Sequence, residues 1–260
     1  MAVTLSYGQQ GAGPPLVILH GLFGSGRNWK AIAARLAATH HVYTPDLRNH
    51  GRSPWTESMS YRELAGDVAS FIERHDLGKT VVLGHSMGGK AAMVLALEQR
   101  GLLDALIVLD IAPVRYEHSL SSYVEAMQDV NLGGMTRRDE ADRLLRTRIP
   151  DSGVRAFLLQ NLVFRDRRFA WRINLPVLAA HMGELADFPA IAPARSYDGQ
   201  VLFLYGERSP YRQAAHDQEV YRLFPNAEIV AIPGAGHWLH VDQPERLTAD
   251  IRRFLDNHSG

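Results

Sequence analysis

No cysteine occurs anywhere in the 260 residues. That excludes a disulfide framework, a thiolate metal site and a cysteine nucleophile. An excess of charge is lacking too, because 28 basic side chains balance 28 acidic ones. Neutrality argues against nucleic acid or an anionic membrane surface as the main partner, since both are held by a basic excess. Long apolar runs are also missing. Runs such as Leu16 to Leu19 and Ala105 to Leu109 are strand-sized, and none approaches the roughly 18 residues that cross a bilayer. Met1 to Gly13 shows no basic segment leading into an apolar one, so no signal peptide is expected and the expected location is the cytoplasm. What remains is a chain long enough for one large domain, or a domain with a substantial insertion, whose core needs no staples.

Short apolar runs alternate with helical patterns, which predicts βαβ units and a mostly parallel sheet. Strands are expected at Leu16–Leu19, His41–Thr44, Thr80–Leu83 and Leu106–Leu109. Helices are expected at Trp29–Thr39 and Met87–Gln99. Another should run to His75, opened by a capping box of Ser60 and Glu63. From about Arg115 to Ser196 the rhythm breaks. That stretch offers only amphipathic helical segments, near Leu120–Val130, Thr136–Arg148, Gly153–Phe164 and Leu175–Leu185, and no convincing strand. The sheet rhythm resumes at Val201–Leu204, followed by a helix over Tyr211–Leu223, a strand at Glu228–Ile232 and a last helix over Pro244–Asn257. The organisation expected is a core of residues 1–114 and 198–260 with a helical cap of residues 115–197.

Gly84-His85-Ser86-Met87-Gly88 fits G-x-S-x-G, with an apolar strand leading in and a helix leading out. That context is what a nucleophile elbow needs. A serine on a tight, strained turn projects its hydroxyl, and flanking glycines remove the side chains that would collide there. The bland alternative is a plain strand-to-helix turn closed by small residues. A serine hydroxyl is a weak nucleophile until a base takes its proton, so a histidine is required. Of the twelve histidines, His237 stands on a Gly-rich loop, Pro233 to Trp238, just past the last expected strand. Its place after the serine suits a serine–acid–histidine order. His40, His75, His216 and His258 read as solvated, and His240 as packing. The glycines of His20-Gly21-Leu22-Phe23-Gly24 permit a backbone amide turned toward a substrate oxygen. The N–H groups of Leu22 and Met87 are the expected oxyanion donors, with Phe23 the second choice to Leu22.

His20-Gly21, Asp46 to Ser53, Gly84 to Gly89 and Gly236-His237 together resemble the α/β-hydrolase superfamily along the whole chain. HGLFGS (His20 to Ser25), GHSMGGKAAM (Gly84 to Met93) and LDIAPV (Leu109 to Val114) resemble, more narrowly, the YbfF-type esterases. These are small bacterial acyl-ester and thioester hydrolases with a mitochondrial relative. The resemblance implies an α/β-hydrolase fold, an eight-stranded mostly parallel sheet flanked by helices, with a helical cap after strand six.

The acid departs from the superfamily pattern. Its usual slot, G-x-x-D after the strand that follows the cap, reads Gly206-Glu207-Arg208-Ser209, and a serine cannot stabilise an imidazolium by charge. Asp110 ends the apolar strand before the insertion, at the carboxyl edge where parallel sheets keep their chemistry. The resemblance also points to the acid of the LDIAPV segment. Asp110 is therefore the expected acid and Glu207 the runner-up, while a purely structural aspartate capping the next turn is the bland reading. On this reading Asp110→Ala cripples turnover, whereas Glu207→Ala and Ser209→Ala stay near wild type.

Asp46 and Arg48 read as mutual partners in a structural turn, with His50 as scaffold. Arg137, Arg138, Arg165, Arg167 and Arg168 could hold an anionic group such as a CoA phosphate. Interspersed Asp139, Glu140, Asp142 and Asp166 make a solvated face the simpler reading. Phe23, His85 and Trp238 are expected to line the pocket, with Met127, Leu158 and Phe164 as further apolar candidates. The function expected is serine hydrolysis of small acyl esters or acyl-CoA-type thioesters through an acyl-enzyme, with no cofactor and no metal. The protein would act as a monomer or homodimer. A cofactor-free haloperoxidase or C–C hydrolase of the same fold, and a non-catalytic hydrolase-like receptor, are the alternatives. Tight ligand binding with negligible turnover would mark the last.

Overall fold

The computed structural model describes residues 1–117, 120–192, 194–211 and 213–257, so His258 lies outside the described residues. The chain opens with β1 (Tyr7–Gln10) and β2 (Pro15–Leu19), then α1 (Lys30–Leu36) and β3 (His41–Pro45). Next come α2 (Tyr61–Arg74), β4 (Thr80–His85), α3 (Met87–Glu98) and β5 (Leu103–Leu109). Ser60 and Glu63 do form the expected capping box of α2: Ser60 Oγ accepts from Glu63 N at 3.3 Å and Glu63 Oε2 accepts from Ser60 N at 2.9 Å. An insertion follows, with α4 (Ser121–Gln128), α5 (Arg138–Leu145), α6 (Ser152–Leu159), β6 (Leu162–Arg165), β7 (Arg168–Trp171) and α7 (Leu175–Ala186). The chain then returns through β8 (Gln200–Gly206), α8 (Asp217–Leu223), β9 (Ala227–Ile232), α9 (Leu239–Asp242) and α10 (Pro244–Asp256).

Among the described residues the main sheet has seven strands in the order β1-β3-β2-β4-β5-β8-β9, all parallel except β1 against β3. Eight strands with the insertion after the sixth were expected. The insertion instead follows the fifth strand, and among the described residues no strand precedes β1. Ahead of β1, Val3 N donates to Asp67 Oδ1 and Ser6 N to Ser53 Oγ, while Ser6 O accepts from Asp46 N at 2.8 Å.

Alternation along the strands explains the layers. Leu16, Ile18, Leu83, Ile107 and Leu204 face α1 and α10, while Val17, Leu19, Val82, Val108 and Phe203 face α2, α3 and the insertion. Both faces are covered, so the central strands read as continuous apolar runs. Register brings the carboxyl ends of β2, β4, β5 and β8 side by side: Leu19 pairs with Gly84, His85 with Leu109, and Leu109 with Leu204.

The insertion is not wholly helical. The helix expected to run to Phe164 stops at Leu159, and β6 and β7 form an antiparallel hairpin of their own. Its two-residue turn, Asp166-Arg167, has φ of 49° and 61°. Two successive positive φ values match the twist of a tight hairpin. No glycine or Asn-Gly marks this turn, which is why the pattern read as helix.

Candidate active site

Ser86 caps the N-terminus of α3 with φ 53° and ψ −118°, a conformation that a non-glycine residue adopts only when its surroundings impose it. The imposition is visible in the flanking glycines. A Cβ on Gly84 would overlap the carbonyl of Gly88, and one on Gly88 would come within 2.6 Å of the carbonyl oxygens of both Leu19 and His20. Ser86 N donates to Leu109 O at 3.0 Å, which pins the turn to the end of β5.

The next residue, just past the end of β5, is Asp110, fully buried and itself at φ 53°. His237 reaches it from the loop after β9, with Nδ1 2.7 Å from Asp110 Oδ2. A carboxylate accepts only, so this bond assigns the proton to Nδ1 and leaves Nε2 free to act as a base. Asp110 is satisfied from other sides too. Oδ1 accepts the Gly206 N–H at 2.8 Å, and Oδ2 also accepts the hydroxyl of Ser209. Glu207, the runner-up acid, is exposed and accepts the Gly234 N–H at 2.9 Å. The structure thus brings Ser86, Asp110 and His237 to one sheet edge and leaves Glu207 outside it.

Around His237 the rings are closely placed. Tyr211 stacks on it at 4.3 Å between centroids, a neighbour with no signal in the sequence. His85 lies 4.6 Å away and donates from Nε2 to His237 O at 2.8 Å. Burial, reinforced by His237 and His240 nearby, pushes His85 well below the usual histidine range. It is a neutral donor that steadies the loop carrying His237. His240 is likewise pushed down to about 4 by burial and stacks on Trp29 at 4.5 Å.

His50, read as scaffold, and His20 both shape the 20–24 loop. Leu47 N donates to His20 Nε2 at 2.9 Å while His20 Nδ1 donates to Gly21 O at 2.8 Å. Phe23 N donates to His50 Nε2 at 3.3 Å while His50 Nδ1 donates to Arg48 O at 2.9 Å. Each ring accepts at one nitrogen and donates at the other, which only the neutral form can do. Burial accordingly lowers His20 to about 4 and His50 to about 3. Phe23, the second choice of oxyanion donor, therefore has its N–H committed to His50. The N–H groups of Leu22 and Met87 have no acceptor among the described residues. The paired His-Gly steps, His20-Gly21 and His50-Gly51, were the available sequence signal for this arrangement.

Asp46 and Arg48 are not partners, contrary to expectation. Arg48 Nε lies 2.6 Å from Asp67 Oδ2 and Nη1 lies 2.9 Å from Glu63. Asp46 accepts instead from the N–H groups of Gly26 and Arg52. Backbone donors near in space outcompete a charged partner whose side chain turns the other way.

A cavity of about 170 Å³ opens beside Ser86 and His237. Phe23, His85 and Trp238 line it, together with Leu158 and Phe157 of α6. Met127 is core instead, and Phe164 is exposed on the hairpin. Of the arginines weighed for an anionic group, Arg137 pairs with Asp139, Arg165 with Asp166, and Arg138 donates to Leu162 O.

A mostly parallel sheet covered on both faces, with its polar side chains converging at the strands' carboxyl ends, is an α/β-hydrolase fold. The model of the alpha/beta hydrolase family matches residues 16–251, and the chain belongs to that family. It is 39% identical over 259 residues to the sn-1-specific diacylglycerol lipase ABHD11 of Xenopus tropicalis, covering 96% of this chain and 81% of that one. It is 34% identical over 244 residues to esterase YbfF of Escherichia coli strain K12, covering 94% and 93% respectively. Among solved structures, a marine microorganism esterase superposes with a TM-score of 0.94 at 34% identity, over 97% of this chain and 100% of that one.

Proposed function

We propose that the protein is a carboxylic-ester hydrolase, acting on acyl esters and thioesters through Ser86, His237 and Asp110. The observation that carries the reading is the 2.7 Å bond from His237 Nδ1 to a buried aspartate beside a strained serine elbow. Kinship with an esterase and a lipase supports it. His237 Nε2 takes the proton of Ser86 Oγ as that oxygen bonds to the substrate carbonyl carbon. The carbonyl oxygen becomes an oxyanion held by the N–H groups of Leu22 and Met87, aided by the N-terminus of α3. Asp110 stays ionised and stabilises the imidazolium. The imidazolium then protonates the leaving oxygen or sulfur as its bond to carbon breaks. Water repeats the sequence on the acyl-enzyme, with its proton passing through His237, and frees the acid and Ser86. In this reading residues 115–197 form a cap, whose Leu120, Tyr123, Val154, Phe157 and Leu158 roof the cavity. Residues 1–114 and 198–260 form the core beneath it.

Pre-steady-state kinetics with a p-nitrophenyl ester test this directly. A burst stoichiometric with enzyme is expected, along with covalent labelling of Ser86 by a fluorophosphonate. Turnover in Ser86→Ala within tenfold of the parent would end the reading.

A further inference from the structure

Ser86 stands between two cavities. The larger, of about 170 Å³, is lined by His237, Trp29, Phe157 and Trp238. The smaller, of about 50 Å³, lies on the other side of the serine and is lined by Met87, Lys90, Met182 and Leu185. Leu22, Ser86, Leu120 and Tyr211 border both. His237 borders only the larger and Met87 only the smaller.

We infer that the smaller cavity takes the acyl chain and the larger one the leaving group, so that the preferred substrates are short-chain acyl esters of bulky apolar alcohols or thiols. This rests on the serine-hydrolase reading above and adds a substrate class to it. The assignment follows from where the proton must go. When the bond from the carbonyl carbon to the leaving oxygen or sulfur breaks, that atom receives the proton carried by His237. It must therefore face His237, and whatever is attached to it extends into the cavity His237 lines. The acyl substituent leaves the carbonyl carbon in another direction, past Met87.

Volume then sets size. The cavity past Met87 has less than a third of the volume of the one that His237 lines, about 50 against about 170 Å³, so the acyl chain is the smaller of the two substituents. One wall of the smaller cavity is tied in place. Lys90 Nζ donates to the carbonyl oxygens of Ala186 at 3.0 Å and Asp187 at 2.7 Å, at the end of α7. It sits over the rings of Tyr61 and Tyr116 at 5.6 and 5.2 Å. With its amine engaged in this way, Lys90 offers the cavity its methylene stem, and the tie holds α7 against α3 at a fixed depth. The larger cavity is walled by aromatic rings, with Phe157 and Trp238 at 5.5 Å between centroids, a surface suited to a flat or bulky apolar group.

The test varies one side of the substrate at a time. Across p-nitrophenyl esters from acetate to decanoate, kcat/KM should peak at about two to five carbons and fall at least about tenfold by octanoate, as expected when methylenes outgrow a small pocket. Met182→Ala should move the optimum to longer chains, and Met182→Phe should confine it to acetate, so the two variants must move in opposite directions. Phe157→Ala should leave the optimal acyl length in place while lowering the preference for naphthyl acetate over methyl acetate about tenfold. A peak at octanoate or beyond in the parent chain, or an acyl optimum that shifts with Phe157 and not with Met182, overturns the assignment while hydrolysis and Ser86 labelling persist. Absence of hydrolysis of every ester, with no labelling of Ser86, overturns the hydrolase reading and this inference with it.

Discussion

The hydroxyl of Ser209 and Nδ1 of His237 donate to the same oxygen, Oδ2 of Asp110. Ser209 occupies the slot where the superfamily pattern places its acid. Here that position serves a carboxylate supplied by the neighbouring strand, because β5 and β8 are adjacent and parallel.

Three variants separate the acids. Asp110→Asn, which keeps the shape but loses the charge, should lower kcat about 10³- to 10⁴-fold. Glu207→Ala should stay within about threefold of the parent. Ser209→Ala, expected from the sequence to be silent, is revised by the geometry. Losing one neutral donor while two others remain costs about 1 kcal/mol, or roughly fivefold in kcat. Steady-state kinetics on one ester decide among them, and a crippling Glu207→Ala would contradict the assignment.

Gly88 and Gly66 make a matched pair of glycine tests. A Cβ at Gly88 meets two carbonyl oxygens at 2.6 Å, whereas one at Gly66, within α2, meets nothing within 4 Å. Gly88→Ala should cost about 3 kcal/mol or leave little folded protein. Gly66→Ala should stabilise by about 0.5–1 kcal/mol. Urea titration measures both, and similar midpoints for the two variants would count against the close approach at the elbow.

The buried ion pair of Arg48 and Asp67, at 2.6 Å with side chains 2% and 0% exposed, should be expensive to break. Asp67→Ala leaves a buried guanidinium with only Glu63 as a charged partner and frees the Val3 N–H. The expected loss is about 3–5 kcal/mol by chemical denaturation. A loss below about 1 kcal/mol would mean that Arg48 finds water instead.

Acid should weaken the fold through His20 and His50. Both sit below the ordinary value of 6.5, at about 4 and about 3. As pH falls beneath 6.5 the unfolded chain binds protons that the folded chain refuses, so stability declines. Each ring contributes about 1.4 kcal/mol per pH unit until its folded value is reached. Between pH 6.5 and 5 the two together cost roughly 3 kcal/mol. Calorimetric unfolding at pH 5 in buffers of different ionisation enthalpy should report uptake of about two protons or more. An uptake near zero would show that these rings are charged in the fold.

Local physics made much of this protein legible in its sequence. Strand alternation, the capping box at Ser60, the glycines around Ser86 and the loop glycines before His237 act within a few residues, where sterics and periodicity are decisive. The tertiary structure alone decided the rest. The convergence of Asp110 on Ser209 and His237 spans 99 and 127 residues and depends on strand order. Arg48 found Asp67 rather than Asp46, and β6 and β7 formed around a turn without glycine, because neighbours distant in the chain settle which polar groups are satisfied. The two cavities flanking Ser86 belong to this second kind, since their walls join residues of the sheet edge to helices of the insertion and exist only once those elements are packed together.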